Sequence, residues 1–264
     1  MCISKSGIPL TSLGDWERLA PPKSSNHWVD GRSAKEVARA WLEGKGTHLP
    51  QEVQSLLAGH HAFGPVLGWH AEPEAKLWFD DFPGEPRNSD LIVYVKDSHG
   101  LYVIAVEAKA DESFGETVGD ALKHARERYL ANNRSNGLKR IEQLSQSLLG
   151  PDLPEDTPLH DIRYQLLTAT AGALWAAESH DCTRTLLLIH EFVTNRTTDD
   201  NHARNAANLD SFVHRISHGR VKSVGRDVIQ GPFEFPTQKP LQRSVALYIA
   251  KVSCNLRGSR ADSA

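Results

Sequence analysis

The sequence predicts an α/β fold in which helices flank a central mixed β-sheet. Three observations carry this prediction. Two neighbouring β-branched runs end near residue 109, helical periodicity dominates the segment that follows, and two more apolar runs come later in the chain. Helices, three strands, helices and then further strands are the element order of an α/β layer structure.

Early helices and a set of strands are expected in order along the chain. Ser33 is expected to be the N-cap of a helix ending near Glu43, with Glu36 completing a capping box. A second short helix is expected from Pro50 to Leu57. Periodicity then predicts strands at 76–80, 90–95, 101–109, 185–193 and 245–252, and helices at 114–129, 138–149, 163–178 and 203–217.

Composition limits the class of protein. The chain has 264 residues, of which 39% are hydrophobic and 24% charged, as in ordinary globular proteins. It has no apolar run of about 18 residues, which excludes a membrane-spanning helix, and its first residues lack the apolar core of a secretory signal. Cys2, Cys182 and Cys254 are too far apart for a disulfide framework or a zinc-type pair, so we expect a reducing, cytoplasmic location.

The chain is expected to form one principal domain. Residues 1–32 are rich in Pro, Ser and Gly and are expected to wrap the surface. Residues 33–255 hold all the predicted strands and form the single α/β domain, and residues 256–264 are expected to be a disordered tail.

The predicted hairpin at 90–109 gathers charge at one end. A turn near Ser98 makes facing positions sum to about 196, which places Asp90 opposite residues 105–107. Glu107 and Lys109 are two residues apart and therefore share one face of the strand. Asp90, Glu107 and Lys109 are thus expected to meet at the end of a hairpin that is otherwise apolar.

Such a group has a definite chemistry. Two nearby carboxylates repel each other unless a cation lies between them, and Mg²⁺ takes carboxylate oxygens as ligands. Carboxylates, metal and lysine together can activate a water and neutralise charge in phosphodiester hydrolysis. The alternative is a simple ion pair, since Glu-x-Lys also occurs at Glu43–Lys45 and Glu74–Lys76, where no hairpin supplies a second acid.

The motif Arg87-Asn-Ser-Asp90, followed by Glu107-Ala-Lys109, resembles the PD-(D/E)xK nuclease superfamily, whose fold is called restriction-endonuclease-like. The resemblance covers roughly residues 50–195 and implies a core of helix, three strands, helix and strand, here with extra helices. It implies that Asp90 and Glu107 hold Mg²⁺ or Mn²⁺, that the backbone carbonyl of Ala108 is a further ligand, and that Lys109 assists hydrolysis.

The sequence also departs from the superfamily pattern. Ser89 stands where many members have Pro. Gln165 lies on a predicted helix and is an accessory candidate, but the Tyr that some members place four residues later is Ala169 here. Some members add a glutamate from the first helix, and four residues compete for that role: Glu36, Glu52, Glu72 and Glu74.

The expected function is therefore a metal-dependent nuclease acting on DNA, in a defence, restriction or repair role. Two alternatives stay open: an inactive domain of the same fold used for binding or assembly, and a metal-dependent hydrolase of another substrate. The net charge of -3 is no nucleic-acid signature, yet residues 184–264 hold 12 Lys and Arg against 7 Asp and Glu. Homodimer formation is left open.

Zinc is the less favoured metal. The chain has 13 histidines, but their spacing lacks a zinc pattern. His214 and His218 have no Glu between them, and His190-Glu191 lacks the second His of a metalloprotease helix.

Overall fold

A mixed β-sheet forms the centre of the molecule, and a computed structural model describes residues 2–150, 158–237 and 243–257. The strands are β1 (Cys2–Lys5), β2 (Ile8–Pro9), β3 (Val66–Leu77), β4 (Arg87–Asp97), β5 (Gly100–Lys109), β6 (Arg184–Val193), β7 (Ile229–Phe233) and β8 (Ala246–Asn255). They form one eight-stranded sheet in the order β2-β1-β3-β4-β5-β6-β8-β7. The predicted α/β class with a central mixed sheet is confirmed.

Helices cover both faces of this sheet. They are α1 (Leu13–Leu19), α2 (Ser33–Glu43), α3 (Gln51–Ala58), α4 (Val118–Ala131), α5 (Gly137–Leu148), α6 (Tyr164–Ser179) and α7 (Asp199–Ile216). Apolar side chains of α4 to α7 form one core with one face of the sheet, which we call the α6 face. Those of α1 to α3 form a second core on the opposite face, which we call the α3 face. None of the described helices is long and apolar enough to cross a membrane.

The composition of α6 explains its central place. Its sequence, YQLLTATAGALWAAES, is apolar nearly all round, so it requires cover on more than one side. Leu167 and Leu174 are fully buried, and each contributes about 2 kcal/mol through the hydrophobic effect. Gln165 and Thr168 are polar exceptions near the start of this helix, and they lie at the candidate site described below.

The β4–β5 hairpin has the register that the sequence predicts. Leu91 pairs with Val106 and Asp97 with Gly100, so facing positions sum to 197. Gly100 has a φ of +119°, a conformation that glycine adopts readily at the hairpin turn. β5, β6 and β8 are mutually parallel. Their carboxyl ends therefore lie at one edge of the sheet, where ligands bind in open α/β folds.

The element bounds differ from the predictions in a few places. β3 begins ten residues before the predicted strand at 76–80 and shares only residues 76 and 77 with it, so that prediction was mostly wrong. β1, β2 and β7 were not predicted. Ser33 is the first residue of α2 rather than its N-cap, which is Arg32. The Ser33 hydroxyl instead donates to Glu112 Oε1 at 2.9 Å, a long-range contact that a local capping pattern cannot reveal.

Segments near both ends of the described residues contribute to the domain. β1 pairs in parallel with β3, and Trp16 of α1 is buried in the α3-face core, so the segment before residue 33 includes regular structure. At the other end, the Leu256 backbone N–H donates to the Val193 carbonyl at 2.8 Å. Residues 258–264 of the expected tail lie outside the described residues.

Candidate active site

Asp90, Glu107 and Lys109 come together at the carboxyl end of β5, on the α6 face. The hairpin register places Asp90 level with Glu107, one position beyond the Leu91–Val106 pair. All three line one cavity of about 510 Å³, together with Ala108 and Gln165. The structure therefore brings together the site residues that the sequence predicts.

Glu107 is the most heavily contacted member of the group. Its Oε1 accepts hydrogen bonds from Lys109 Nζ, at 2.8 Å, and from Gln165 Nε2 of α6. Its Oε2 accepts from the Arg87 guanidinium. Glu107 is only 2% exposed, so these three donors compensate for the loss of water around a buried carboxylate.

Asp90 is held differently. Its Oδ2 accepts the Ala108 backbone N–H at 2.7 Å, which fixes the carboxylate against the edge of β5. Within the described ranges, no hydrogen bond reaches its Oδ1. One Asp90 oxygen is thus available for a ligand beside Glu107.

The electrostatics of the pair are asymmetric. Burial and the neighbouring Glu107 carboxylate raise the pKa of Asp90 above its ordinary value. Burial also opposes ionisation of Glu107, but Lys109 and Arg87 outweigh it and hold the pKa of Glu107 below its usual range. The two cations therefore stabilise Glu107 first, and Asp90 is left short of positive charge.

Lys109 is fixed as a buried ammonium. It is 5% exposed, and its Nζ lies 5.2 Å from the centre of the Phe114 ring as well as against Glu107. Burial alone would lower the pKa of Lys109, but the carboxylates of Glu107 and Asp90 reverse this effect and raise it. Lys109 thus carries a full positive charge at the cavity.

Glu74 is the one of the four competing glutamates that lies close to the pair. On β3 it stands level with Asp90, between the Pro73–Leu91 and Ala75–Ser89 pairs. Burial and then the Asp90 carboxylate raise the pKa of Glu74 to about 8, with a smaller contribution from Glu107. A third carboxyl group therefore lies beside the pair, and it stays largely protonated at neutral pH unless a cation favours its ionised form.

The other three glutamates have partners elsewhere. Glu36 Oε1 accepts the Gly31 backbone N–H at 2.8 Å. Glu72 pairs with Lys5 at 3.0 Å. Glu52 contacts His190 and Cys254 on the α3 face. None of these three lines the cavity that holds Asp90, and Glu74 approaches the pair from outside that lining as well.

Arg87 is a site residue whose role sequence reasoning missed. Its Nη1 donates to Thr168 Oγ1 at 2.9 Å while its Nη2 holds Glu107, so it links β4, β5 and α6. Strict strand alternation from Asp90 would put Arg87 on the opposite face. Arg87 nevertheless lies on the α6 face, so the alternation of side chains is broken between Arg87 and Asp90. The backbone of the paired strand β3 is irregular at the same level, at Glu74, where φ is +47°. An argument from sequence periodicity does not detect such a break.

Comparison with known proteins identifies a family. A family model described as "Domain of unknown function (DUF6946)" matches residues 9–255 of the chain. The chain belongs to the DUF6946 family. No curated protein and no solved structure matches it.

In this DUF6946 chain, the donor set at the cavity suits a hard divalent cation. Asp90 and Glu107 offer carboxylate oxygens, the ligands that Mg²⁺ prefers. Burial and the neighbouring carboxylates raise the pKa values of Asp90 and Glu74, so a cation bound beside them would favour their ionised forms. The site therefore fits a divalent ion both in ligand chemistry and in charge.

Proposed function

We propose that this DUF6946 chain is a divalent-metal-dependent nuclease that hydrolyses phosphodiester bonds in DNA. The observation that carries the proposal is the meeting of Asp90, Glu107 and Lys109 in one cavity at the carboxyl end of β5. The element order also supports it. Three antiparallel strands, β3 to β5, are followed by helices and by the parallel strand β6, as in a restriction-endonuclease-like core with extra helices.

The residues have separable roles in this proposal. Asp90 and Glu107 would hold Mg²⁺ or Mn²⁺, with the carbonyl of Ala108 as a further ligand. When bound, such an ion supplies a Lewis acid and lowers the pKa of a coordinated water. The Lys109 ammonium has three donors, of which Glu107 takes one, so it can also donate to a phosphoryl oxygen in the cavity.

Gln165 and Arg87 act through Glu107. Gln165 donates to the same Glu107 oxygen as Lys109, and Arg87 donates to the other one. Both therefore fix the direction in which the carboxylate points, which is a positioning role. Because Arg87 already occupies Oε2, a metal ion has to share that oxygen or displace the guanidinium.

The cavity wall makes DNA binding dependent on cations. Glu112 and Glu116 join Asp90 and Glu107 in its lining, against the single lysine Lys109. Such a surface repels a phosphate backbone until a divalent ion is bound. We therefore expect metal to enhance DNA binding in this protein.

One observation favours the second candidate, an inactive domain of this fold. Both oxygens of Glu107 already have protein partners, so the network is satisfied in part without metal. An inactive relative that uses the fold for binding or assembly would need no more than this.

A cleavage assay separates the two candidates. Supercoiled plasmid and single-stranded oligonucleotide are incubated with protein in Mg²⁺, Mn²⁺, Ca²⁺ or EDTA. We expect cleavage in Mg²⁺ or Mn²⁺, none in Ca²⁺ or EDTA, and a loss of at least about 100-fold for Asp90→Asn. Asp200→Asn, a change of the same kind at an exposed position on α7, is the matched control. Cleavage that survives in Asp90→Asn, or no cleavage of any nucleic acid, would reject the proposal.

A further inference from the structure

A second cluster of metal-ligating side chains lies on the α3 face of the sheet. It contains Glu52 of α3, His190 of β6 and Cys254 of β8. β6 and β8 are adjacent and parallel, with His190 level with Val252, so Cys254 lies one pleat further along the same face. Within the described part of the chain, no other three His, Cys, Asp or Glu residues bring ligand atoms within 4.8 Å of one another.

The three ligand atoms converge closely. His190 Nε2 lies 2.9 Å from Glu52 Oε1, and Cys254 Sγ lies 3.0 Å from the same oxygen. Cys254 Sγ and His190 Nε2 are 3.5 Å apart. Tetrahedral zinc with bonds of about 2.0–2.3 Å keeps its ligand atoms roughly 3.3–3.8 Å apart. A zinc ion would therefore fit after each of the two shorter separations widened by a few tenths of an ångström.

We propose that Glu52, His190 and Cys254 form a zinc-binding site, separate from the cavity that holds Asp90. One thiolate, one imidazole and one carboxylate are ligands that zinc accepts together, whereas Mg²⁺ and Ca²⁺ take oxygen ligands. This proposal does not rest on the nuclease proposal, because it uses different residues on the opposite face of the sheet.

One side of the cluster is accessible to solvent. The His190 side chain is fully buried, but the Glu52 side chain is 26% exposed. Solvent therefore reaches the carboxylate side of the cluster. A water molecule can complete a tetrahedral set of three protein ligands, the arrangement of an open zinc site.

The hydrogen bonds of His190 show which proton and which hydrogen bond a zinc ion would displace. Trp41 Nε1 donates to His190 Nδ1 at 3.3 Å, which assigns the proton of a neutral imidazole to Nε2, facing Glu52. Zinc binding at Nε2 requires that this proton move to Nδ1 and that the Cys254 thiol lose its proton to solvent. One proton is thus released per ion, and the Trp41 hydrogen bond is lost because two N–H groups would then face each other.

Cobalt substitution tests the site directly. The full chain is stripped with EDTA, dialysed and titrated with Co²⁺, and its thiolate-to-metal charge-transfer absorption is recorded. We expect one equivalent to bind, with a charge-transfer band that Zn²⁺ abolishes and excess Mg²⁺ does not. Cys254→Ser should remove the band, and Cys182→Ser, at a buried cysteine outside the cluster, should keep it.

Two more variants keep the test decisive. Glu52→Gln keeps the size of the side chain and removes its charge, so zinc affinity should fall at least about tenfold even if Cys254→Ser fails to fold. Asp90→Asn should keep the band, which separates this site from the proposed nuclease centre. Absence of the band in wild type, or a band that persists in Cys254→Ser, would overturn the proposal and leave a metal-free hydrogen-bonded cluster.

Discussion

The two faces of the sheet carry different chemistry at the same edge. On the α6 face, Asp90 and Glu107 present oxygen ligands beside buried cations. On the α3 face, His190 and its neighbours present mixed nitrogen, oxygen and sulfur ligands. The alternation of side chains along β5 and β6 explains how both fit. Glu107 and Ile189 point to one face, whereas Ala108 and His190, paired one step further on, point to the other.

The two faces also differ in how their buried polar groups are stabilised. The α3-face cluster satisfies itself in a chain of hydrogen bonds from Trp41 through His190 to Glu52. In the α6-face group, burial and neighbouring carboxylates raise the pKa values of Asp90 and Glu74, so these two acids are costly to ionise without a further cation. A group that is costly to keep without a cation is the stronger candidate for a cation-dependent function.

The largest expected effect is the loss of DNA cleavage when Lys109 of the α6-face group is replaced. Lys109→Ala removes a cation but leaves both acidic ligands, so DNA cleavage should fall by roughly 10²–10³ while Mg²⁺ binding persists. Single-turnover cleavage and calorimetry measure the two quantities. Lys96→Ala, at an exposed position on β4, should cleave like wild type. A folded Lys109→Ala protein with the wild-type rate would remove the lysine from the mechanism.

Substitution of Arg87 tests whether its guanidinium stabilises the Glu107 carboxylate in place of a bound metal ion. Arg87→Ala leaves the buried Glu107 with one cation fewer, and the metal-free protein should lose about 3 kcal/mol of unfolding free energy. Added Mg²⁺ should recover part of this loss, as urea denaturation with and without the ion will show. Arg18→Ala breaks an exposed pair with Asp15 and should cost under about 1 kcal/mol. Equal losses for the two variants would contradict the role given to Arg87.

Gln165 tests the positioning of Glu107 from α6. Gln165→Ala removes one donor to a buried carboxylate and should cost about 1.5 kcal/mol of stability. Cleavage should fall about tenfold, mainly in kcat. Gln146→Ala, at an exposed position of α5, is the control by thermal denaturation and steady-state assay. No change in either quantity would return Gln165 to an ordinary helix residue.

The smallest expected effect is on the pH dependence of stability. An acid whose pKa is raised on folding binds more protons in the folded state, so stability falls as pH rises through the interval between the two pKa values. For Asp90 and Glu74 this interval begins at the ordinary carboxyl range and, for Glu74, ends at about 8. Without metal, Asp90→Asn should be more stable than wild type at pH 8 by on the order of 1 kcal/mol, and equal to it at pH 4. Urea denaturation at the two pH values checks this, and a wild type that is the more stable protein at pH 8 would contradict it.

Local sequence patterns were sufficient to predict the β4–β5 hairpin and the positions of its two acidic residues. Apolar β-branched runs and a polar turn predict the register that joins Asp90 to Glu107, because pairing in a hairpin depends on nearby residues. The same patterns could not choose Glu74 among the four candidate glutamates or reveal the role of Arg87, since β3 is longer than its apolar core suggests and its backbone is irregular at Glu74.

The α3-face cluster shows the same limit more strongly. Glu52, His190 and Cys254 are separated by 138 and 64 residues along the chain, so no spacing motif connects them. Parallel pairing of β6 with β8 and packing of α3 bring them together. Cysteine and histidine spacing argued against zinc, and that argument applies only to ligands contributed by one short segment.

Calorimetric titration of metal-free protein with Mg²⁺ tests the central claim most directly. The claim is that Asp90 and Glu107 share one divalent ion at the end of β5. Wild type is expected to bind Mg²⁺ and Asp90→Asn to bind it at least about tenfold more weakly, with a rise in Tm on adding Mg²⁺ that is confined to wild type. Equal Mg²⁺ affinity in the two proteins, or no binding in wild type, would contradict it.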